Sequence, residues 1–262
     1  MDTAEKSYTH HYDEKMIATK YAKCSYFHES RLLIDAFNLK KMVRCIQALS
    51  SEPIEQLLDF GCGDGFMTRM LVHDSIVKSA VGIDVSKDMI ELAKHSIQQH
   101  EQEHFQYHTI KEDFESTINS IGTFPLVMST FMMCHLATVN ELQQMLARIR
   151  RLCTEFFFGL ISNPYFDPKN AHTLEKYGIK YIGPTNPSDE DKYCVTFDAD
   201  TENEFTLTDF WYTAATFENL FRKVGFKTFQ WVPVEVDSEA KEERKAFLAD
   251  ACQIYIGFIA TV

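Results

Sequence analysis

Residues 57–65 read Leu57-Leu58-Asp59-Phe60-Gly61-Cys62-Gly63-Asp64-Gly65. An apolar run ends in an acid, and glycines follow at alternate positions. The next segment carries Phe66, Met70 and Leu71 at helical spacing. Together these are a strand, a tight turn and a helix. Alternate glycines let the backbone take φ > 0 and let a ligand approach where a Cβ would clash. The turn also aims the unpaired N–H groups of the new helix at that ligand. A chain that opens this way belongs to the α/β folds, and the rest must supply further strand–helix units.

It does so. Strands are expected at 54–60, 80–84, 105–109, 126–130 and 155–162. Helices are expected at 65–73, at 87–98 with Ser86 as cap, and at 138–152. The helix at 138–152 is the most periodic, with Leu142, Met145, Leu146, Ile149 and Leu152 in one stripe. Short apolar strands alternating with amphipathic helices mean a parallel sheet covered on both faces. Residues 163–210 break the rhythm, being rich in Pro, Asn, Asp, Tyr and Gly, with a hairpin expected around 193–207. This stretch is either a surface excursion or an insertion that covers substrate. A helix at 213–224, a strand at 226–236, a charged connector at 238–245 and a strand at 253–260 complete the chain. The two late strands suggest an antiparallel pair at one edge. The expected fold is therefore a doubly wound, Rossmann-like, mostly parallel seven-stranded sheet. Residues 1–50 form an N-terminal helical cap, residues 51–262 the core, and 163–210 an insertion after strand five.

Two nucleotide-binding readings of the glycine turn fail. A P-loop requires Gly-Lys-Ser/Thr, but Gly65 is followed by Phe66-Met67. A dinucleotide fingerprint requires a third glycine where Phe66 stands. The remaining pattern is Asp-x-Gly-x-Gly-x-Gly with a second acid, Asp84, ending strand two. It resembles the class I S-adenosylmethionine-dependent methyltransferases. The stretches 59–65, 81–89 and 111–114 are similar to that family's first three motifs, in order. Residues 126–136 are similar to its fourth, with Cys134 in place of a histidine common in the family.

The resemblance implies S-adenosyl-L-methionine as cofactor. Gly61, Cys62 and Gly63 would lie against its methionine part, and Asp59 would order the turn or meet the ammonium. Asp84 would accept from the ribose hydroxyls, with Val85 beside it. Asp113 would accept from the adenine amine, with Met89 and Phe114 against the ring. Thr130, which ends strand four, would also contact the cofactor. Tyr12 and Tyr21 would close over the sulfonium, and Arg31 would meet the cofactor carboxylate. His135 is the candidate general base. A looser similarity to toxoflavin-type small-molecule N-methyltransferases places Tyr165, Tyr177, Trp211 and Tyr212 around a flat heteroaromatic acceptor, where aromatic rings stack.

Composition narrows the partners. The net charge of −12 and the lack of a basic stripe argue against nucleic acid. Seven cysteines without a CxxC pair point to reduced thiols, no metal site and a cytoplasmic protein. No stretch approaches 18 consecutive apolar residues, so no membrane partner is expected. The expected partner is a small-molecule methyl acceptor, with oligomeric state open. The alternatives are a cofactor-binding regulatory protein without turnover and a protein or peptide methyltransferase.

Overall fold

The computed structural model describes residues 19–21, 23, 24, 29–110 and 114–262. Tyr12 and Asp113 lie outside these residues.

A π-helical turn, Arg31–Ala36, runs into helix α1, Phe37–Leu49. Then come β1 (Gln56–Phe60), α2 (Phe66–His73), β2 (Ser79–Asp84), α3 (Lys87–His95) and β3 (Phe105–Thr109). They are followed by α4 (Phe114–Ile121), β4 (Phe124–Thr130), a 3₁₀ turn (Met133–His135), α5 (Val139–Leu152) and β5 (Cys153–Ser162). A 3₁₀ helix (Pro168–Tyr177) leads into β6 (Lys180–Ile182), β7 (Lys192–Phe197) and β8 (Phe205–Phe210). The chain ends with α6 (Ala214–Lys223), β9 (Thr228–Val232), α7 (Glu242–Cys252) and β10 (Tyr255–Thr261).

The main sheet has seven strands in the order β3-β2-β1-β4-β5-β10-β9. The first five are parallel. β10 runs antiparallel to both of its neighbours, which forms the expected antiparallel edge. Successive residues of each strand face opposite layers. Leu58 packs with Val127, Phe157, Leu146 of α5 and Phe221 of α6. Leu57 packs on the other face with Leu126, Phe158 and Leu39, Met42 and Ile46 of α1. The helix starts carry chemical signals. Ser86 Oγ accepts from Met89 N, and Thr138 with Glu141 makes a reciprocal capping box ahead of α5.

Three elements differ from expectation. Helix α4 is absent from the sequence-based assignment, because its eight residues bury only Ile118. The charged connector is the start of α7, which buries Phe247, Leu248 and Ala251. Charged residues surround these apolar positions, so the segment has no clean stripe to read. The hairpin belongs to a three-stranded antiparallel sheet, β6-β7-β8. Among the described residues, no helix is long and apolar enough to cross a membrane.

Candidate functional site

The strand order reverses between β1 and β4, so their connections leave in opposite directions. In open α/β sheets the crevice at such a point, outside the carboxyl ends of the strands, is where ligands bind. The glycine turn follows β1 there. Gly61, Gly63 and Gly65 have φ of +79°, +54° and +69°. A Cβ on Gly61 would lie 2.8 Å from Met132 Cγ. At Gly63 nothing stands within 4 Å of a Cβ position, so the backbone itself faces open space. Gly61 N and Cys62 N both donate to Ile83 O, at 2.8 and 3.1 Å. Gly63 N donates to Asp84 Oδ2 and Ser86 N to Asp84 Oδ1, both at 2.8 Å. Asp84 thereby joins the turn to the end of β2. Each of its oxygens keeps acceptor capacity for a ligand hydroxyl. This open, glycine-lined turn with an acid beside it fits the nucleoside and methionine parts of S-adenosylmethionine.

Asp59 does something other than expected. Its side chain is fully buried, and Oδ2 accepts from Thr68 Oγ1 at 2.5 Å, within the strand–helix layer. The acid that orders the turn is Asp64. Its Oδ1 accepts from Phe66 N at 3.1 Å, and its Oδ2 pairs with Arg31 Nη1 at 2.9 Å. The Arg31 guanidinium also lies 4.7 Å from the Tyr21 ring centroid and 5.3 Å from that of Phe66. Arg31 and Tyr21 therefore reach the site, with Arg31 already engaged by a protein carboxylate. Burial pushes the Cys62 thiol up, with Asp84, Asp59 and Asp64 adding to the effect, which keeps it protonated and unsuited to nucleophilic work.

Val85, Met89 and Phe114 follow the ends of β2 and β3 and, like Asp84, are not among the residues that line the main cavity. Met89 is buried, and Phe114 packs against Phe60 under the Arg148 guanidinium.

The main cavity has a volume of about 160 Å³, where a single water needs only about 10–15 Å³. Gly61, Cys62 and Gly63 form one end, and Thr130, Phe131 and Ser162 supply the floor. The three-stranded sheet forms the roof. Tyr193 and Val195 of β7, Leu207 and Asp209 of β8, and Trp211 just beyond it all line the space. These positions alternate along the two strands, and Tyr193 pairs with Asp209 and Val195 with Leu207 across the ladder. One face of the small sheet thus looks into the cavity. Phe131 holds φ = +56°, a sparsely populated conformation for a bulky residue, at the floor beside Tyr255, with centroids 4.8 Å apart.

Of the four aromatics expected around an acceptor, only Trp211 lines this cavity. Tyr165 is 62% exposed and packs edge-on against Trp231. Tyr177 turns toward α7, donating to Asp250 Oδ2 at 3.1 Å and packing on Phe247. Tyr212 is buried and donates to Leu136 O at 2.6 Å, which ties the end of the roof to the turn after β4. Tyr181 and Tyr193 take their place in the roof, stacked with centroids 5.4 Å apart. The period-two pattern of 193, 195 and 207, 209, 211 is the sequence signal that identifies the lining residues.

His135 lines the same cavity, at the end of the 3₁₀ turn after β4. Its Nδ1 lies 2.7 Å from Asp209 Oδ1, with the two side chains 24% and 11% exposed. Burial pulls the imidazole pKa down, but the Asp209 carboxylate, the Thr208 backbone and Asp84 outweigh it and hold it above the ordinary 6.5. Cys134 Sγ, His135 and Asp209 place three donor atoms within 4.8 Å of one another. The Cys134 thiol donates to Phe131 O at 2.9 Å, and burial, reinforced by Asp209, keeps it protonated. The chemically available unit is therefore the His135–Asp209 pair. Asp35, which also lines the cavity, is 3% exposed. Burial pushes its carboxyl up to about 7, against the pull of Arg31.

Residues 57–155 match a family model described as a methyltransferase domain. No curated protein matches the chain by sequence. Among solved structures, an S-adenosylmethionine-dependent methyltransferase from Clostridium acetobutylicum ATCC 824 is similar at TM-score 0.61 and 15% identity, covering 93% of this chain and 98% of its own. The CcbJ methyltransferase from Streptomyces caelestis is similar at TM-score 0.56 and 14% identity, covering 84% and 88%. CalS10, an amino pentose methyltransferase from Micromonospora echinaspora seen with its cofactor bound, is similar at TM-score 0.53 and 15% identity, covering 93% and 94%. At these identities the likeness is one of fold.

Proposed function

We propose that this chain is a class I S-adenosylmethionine-dependent methyltransferase that takes S-adenosylmethionine as its cofactor and methylates a small molecule held beneath the 163–212 segment. The observation that carries this reading is the roof. The face of the small sheet that bears Tyr193, Val195, Leu207 and Trp211 closes over the space beside the glycine turn. A roofed, mostly apolar pocket with a few convergent polar groups suits a small acceptor better than an extended polymer. The CalS10 and CcbJ structures belong to methyltransferases of the same fold, and CalS10 is an amino pentose methyltransferase.

The cofactor supplies an electrophilic methyl group on a sulfonium. The chain's own contribution is positioning, exclusion of water and handling of the acceptor's proton. Trp211, Tyr181 and Tyr193 offer ring faces and edges to an acceptor with apolar or aromatic character. His135, oriented by Asp209, would take a proton from an acceptor N–H or O–H. Because Asp209 favours the imidazolium, His135 acts as a base only in its neutral form, and the reaction gains as pH rises through the raised pKa.

The test is transfer of a radiolabelled methyl group from the cofactor into a metabolite extract. Label in the small-molecule fraction supports the reading, and label in protein alone would replace it with a protein methyltransferase. Calorimetry showing tight binding of S-adenosylhomocysteine with no transfer into either fraction would favour a regulatory protein without turnover.

A further inference from the structure

Asp35 is a titratable group in the cavity wall that neither the glycine turn nor the His135–Asp209 pair employs. It is 3% exposed, and its Oδ1 is fully buried and accepts no hydrogen bond among the described residues. A carboxylate taken out of water without partners is strongly unfavourable, and proteins retain such a group where something else completes it. Among the described residues the cation that acts on Asp35 is Arg31, and it is committed. Its Nη1 is bonded to Asp64, and its guanidinium is stacked between Tyr21 and Phe66. Asp35 also sits inside the π-helical turn Arg31–Ala36. Such a turn inserts extra backbone into a helix, re-aims the side chains it carries and is found often at functional sites. Phe131 and Tyr255, which line the same cavity, present ring surfaces of the kind that attract cations.

We propose that Asp35 is the counter-ion of an alkylammonium group bound in this cavity. This inference rests on the methyltransferase reading of the site. It adds that a bound partner carries a protonated amine, which Asp35 grips at its nitrogen while the aromatic walls cover its carbons. The ammonium has two possible sources: the amino-acid part of the cofactor, or an amine-bearing acceptor.

The experiment separates them by calorimetry on wild type and Asp35→Asn. The first arm compares S-adenosylhomocysteine with its desamino analogue. The second, on protein saturated with S-adenosylhomocysteine, compares phenethylammonium with phenethyl alcohol as probes. If the cofactor is the source, Asp35→Asn weakens S-adenosylhomocysteine by about 10- to 100-fold and leaves the desamino analogue unchanged, as for the loss of one or two hydrogen bonds between charged groups. If the acceptor is the source, both cofactor analogues bind the variant as they bind wild type. Wild type then prefers phenethylammonium over the alcohol by at least about tenfold, and the variant loses that preference. The inference is overturned if wild type discriminates neither pair, a result that needs no variant. It is also overturned if a folded Asp35→Asn, checked by its thermal melt, keeps every preference of wild type. Binding of S-adenosylhomocysteine in any of these outcomes leaves the methyltransferase reading standing, whereas its absence from wild type overturns that reading instead.

Discussion

His135 Nδ1 and Asp209 Oδ1 meet at 2.7 Å in the wall of the cavity, one from the turn after β4 and the other from the roof strand β8. The pair links the parallel-sheet half of the site to the insertion. It also couples the charge of the candidate base to whether the roof is in place.

Replacing Asp209 with Asn should lower the His135 titration midpoint measured by NMR. Asp209 is the largest influence raising it, and Asn keeps the shape without the charge. A histidine raised in the folded state contributes stability that is fully present below its unfolded pKa and fades as pH rises through the folded one. For catalysis the sense is opposite, because the neutral form accepts the proton. The alkaline-rising limb of methyl transfer should therefore move to lower pH in the variant. An unchanged midpoint would remove the coupling.

Gly61→Ala and Gly63→Ala should behave differently. At Gly61 the new Cβ meets Met132 at 2.8 Å on a backbone at φ = +79°, so the variant should lose folding stability outright. At Gly63 there is no collision, and the left-handed conformation alone costs about 1–2 kcal/mol. The Cβ would then occupy the space a ligand needs. Gly63→Ala should melt only slightly earlier yet bind S-adenosylhomocysteine far more weakly, with calorimetry and thermal melts as the paired readouts.

Asp84→Asn should weaken S-adenosylhomocysteine by roughly 10-fold or more, since hydrogen bonds to a charged group contribute about 1.5–3 kcal/mol each, and its amide NH2 leaves one of the two backbone N–H groups of Gly63 and Ser86 without an acceptor. Asp84→Ala should loosen the turn further than Asp84→Asn, as Gly63 N and Ser86 N both lose their acceptor. Hydrogen exchange at those two amides reports the loosening separately from affinity.

Asp59 carries a carboxyl that burial pushes up to about 7, from an ordinary 3.8. A carboxyl raised on folding binds a proton more readily in the native state than in the unfolded one. Stability from this group is therefore greatest below about pH 4 and declines as pH rises toward about 7. Asp59→Asn, which can still accept from Thr68, should gain on wild type by a few kcal/mol between pH 4 and pH 8. The gain follows from about 1.36 kcal/mol for each pH unit separating the folded and unfolded titrations. Urea unfolding of both proteins at the two pH values checks the sign.

Trp211→Ala should leave S-adenosylhomocysteine affinity within about twofold, or about 0.4 kcal/mol, and abolish label transfer to a small acceptor. Tyr165→Ala should change neither, because Tyr165 lies on the outer surface.

The parallel core is legible because its signals are local. The runs at 57–60 and 80–84 read as strands, Ser86 and Thr138 as helix starts, and the glycine turn as a ligand site, each from neighbours a few residues apart. Helix α7 is not legible, because Phe247, Leu248 and Ala251 find their partners in Ile34 and Leu174, far off in the chain. Tyr165 and Tyr177 are indistinguishable by type from Tyr181 and Tyr193. Only the strand faces decide which pair looks inward.

By itself the sequence determined the strands and helices of the parallel core other than α4, the position of the glycine turn and the acid beside it, and the family these motifs resemble implied the cofactor. Backbone conformation and hydrogen bonding over short spans carry that information. The tertiary structure alone decided that Asp209 reaches His135, that Asp64 meets Arg31, and that Asp35 is buried beside the same space. Each depends on how distant segments pack and on how much water that packing removes. Burial and partner geometry, which set the charge and role of these groups, exist only once the chain has folded.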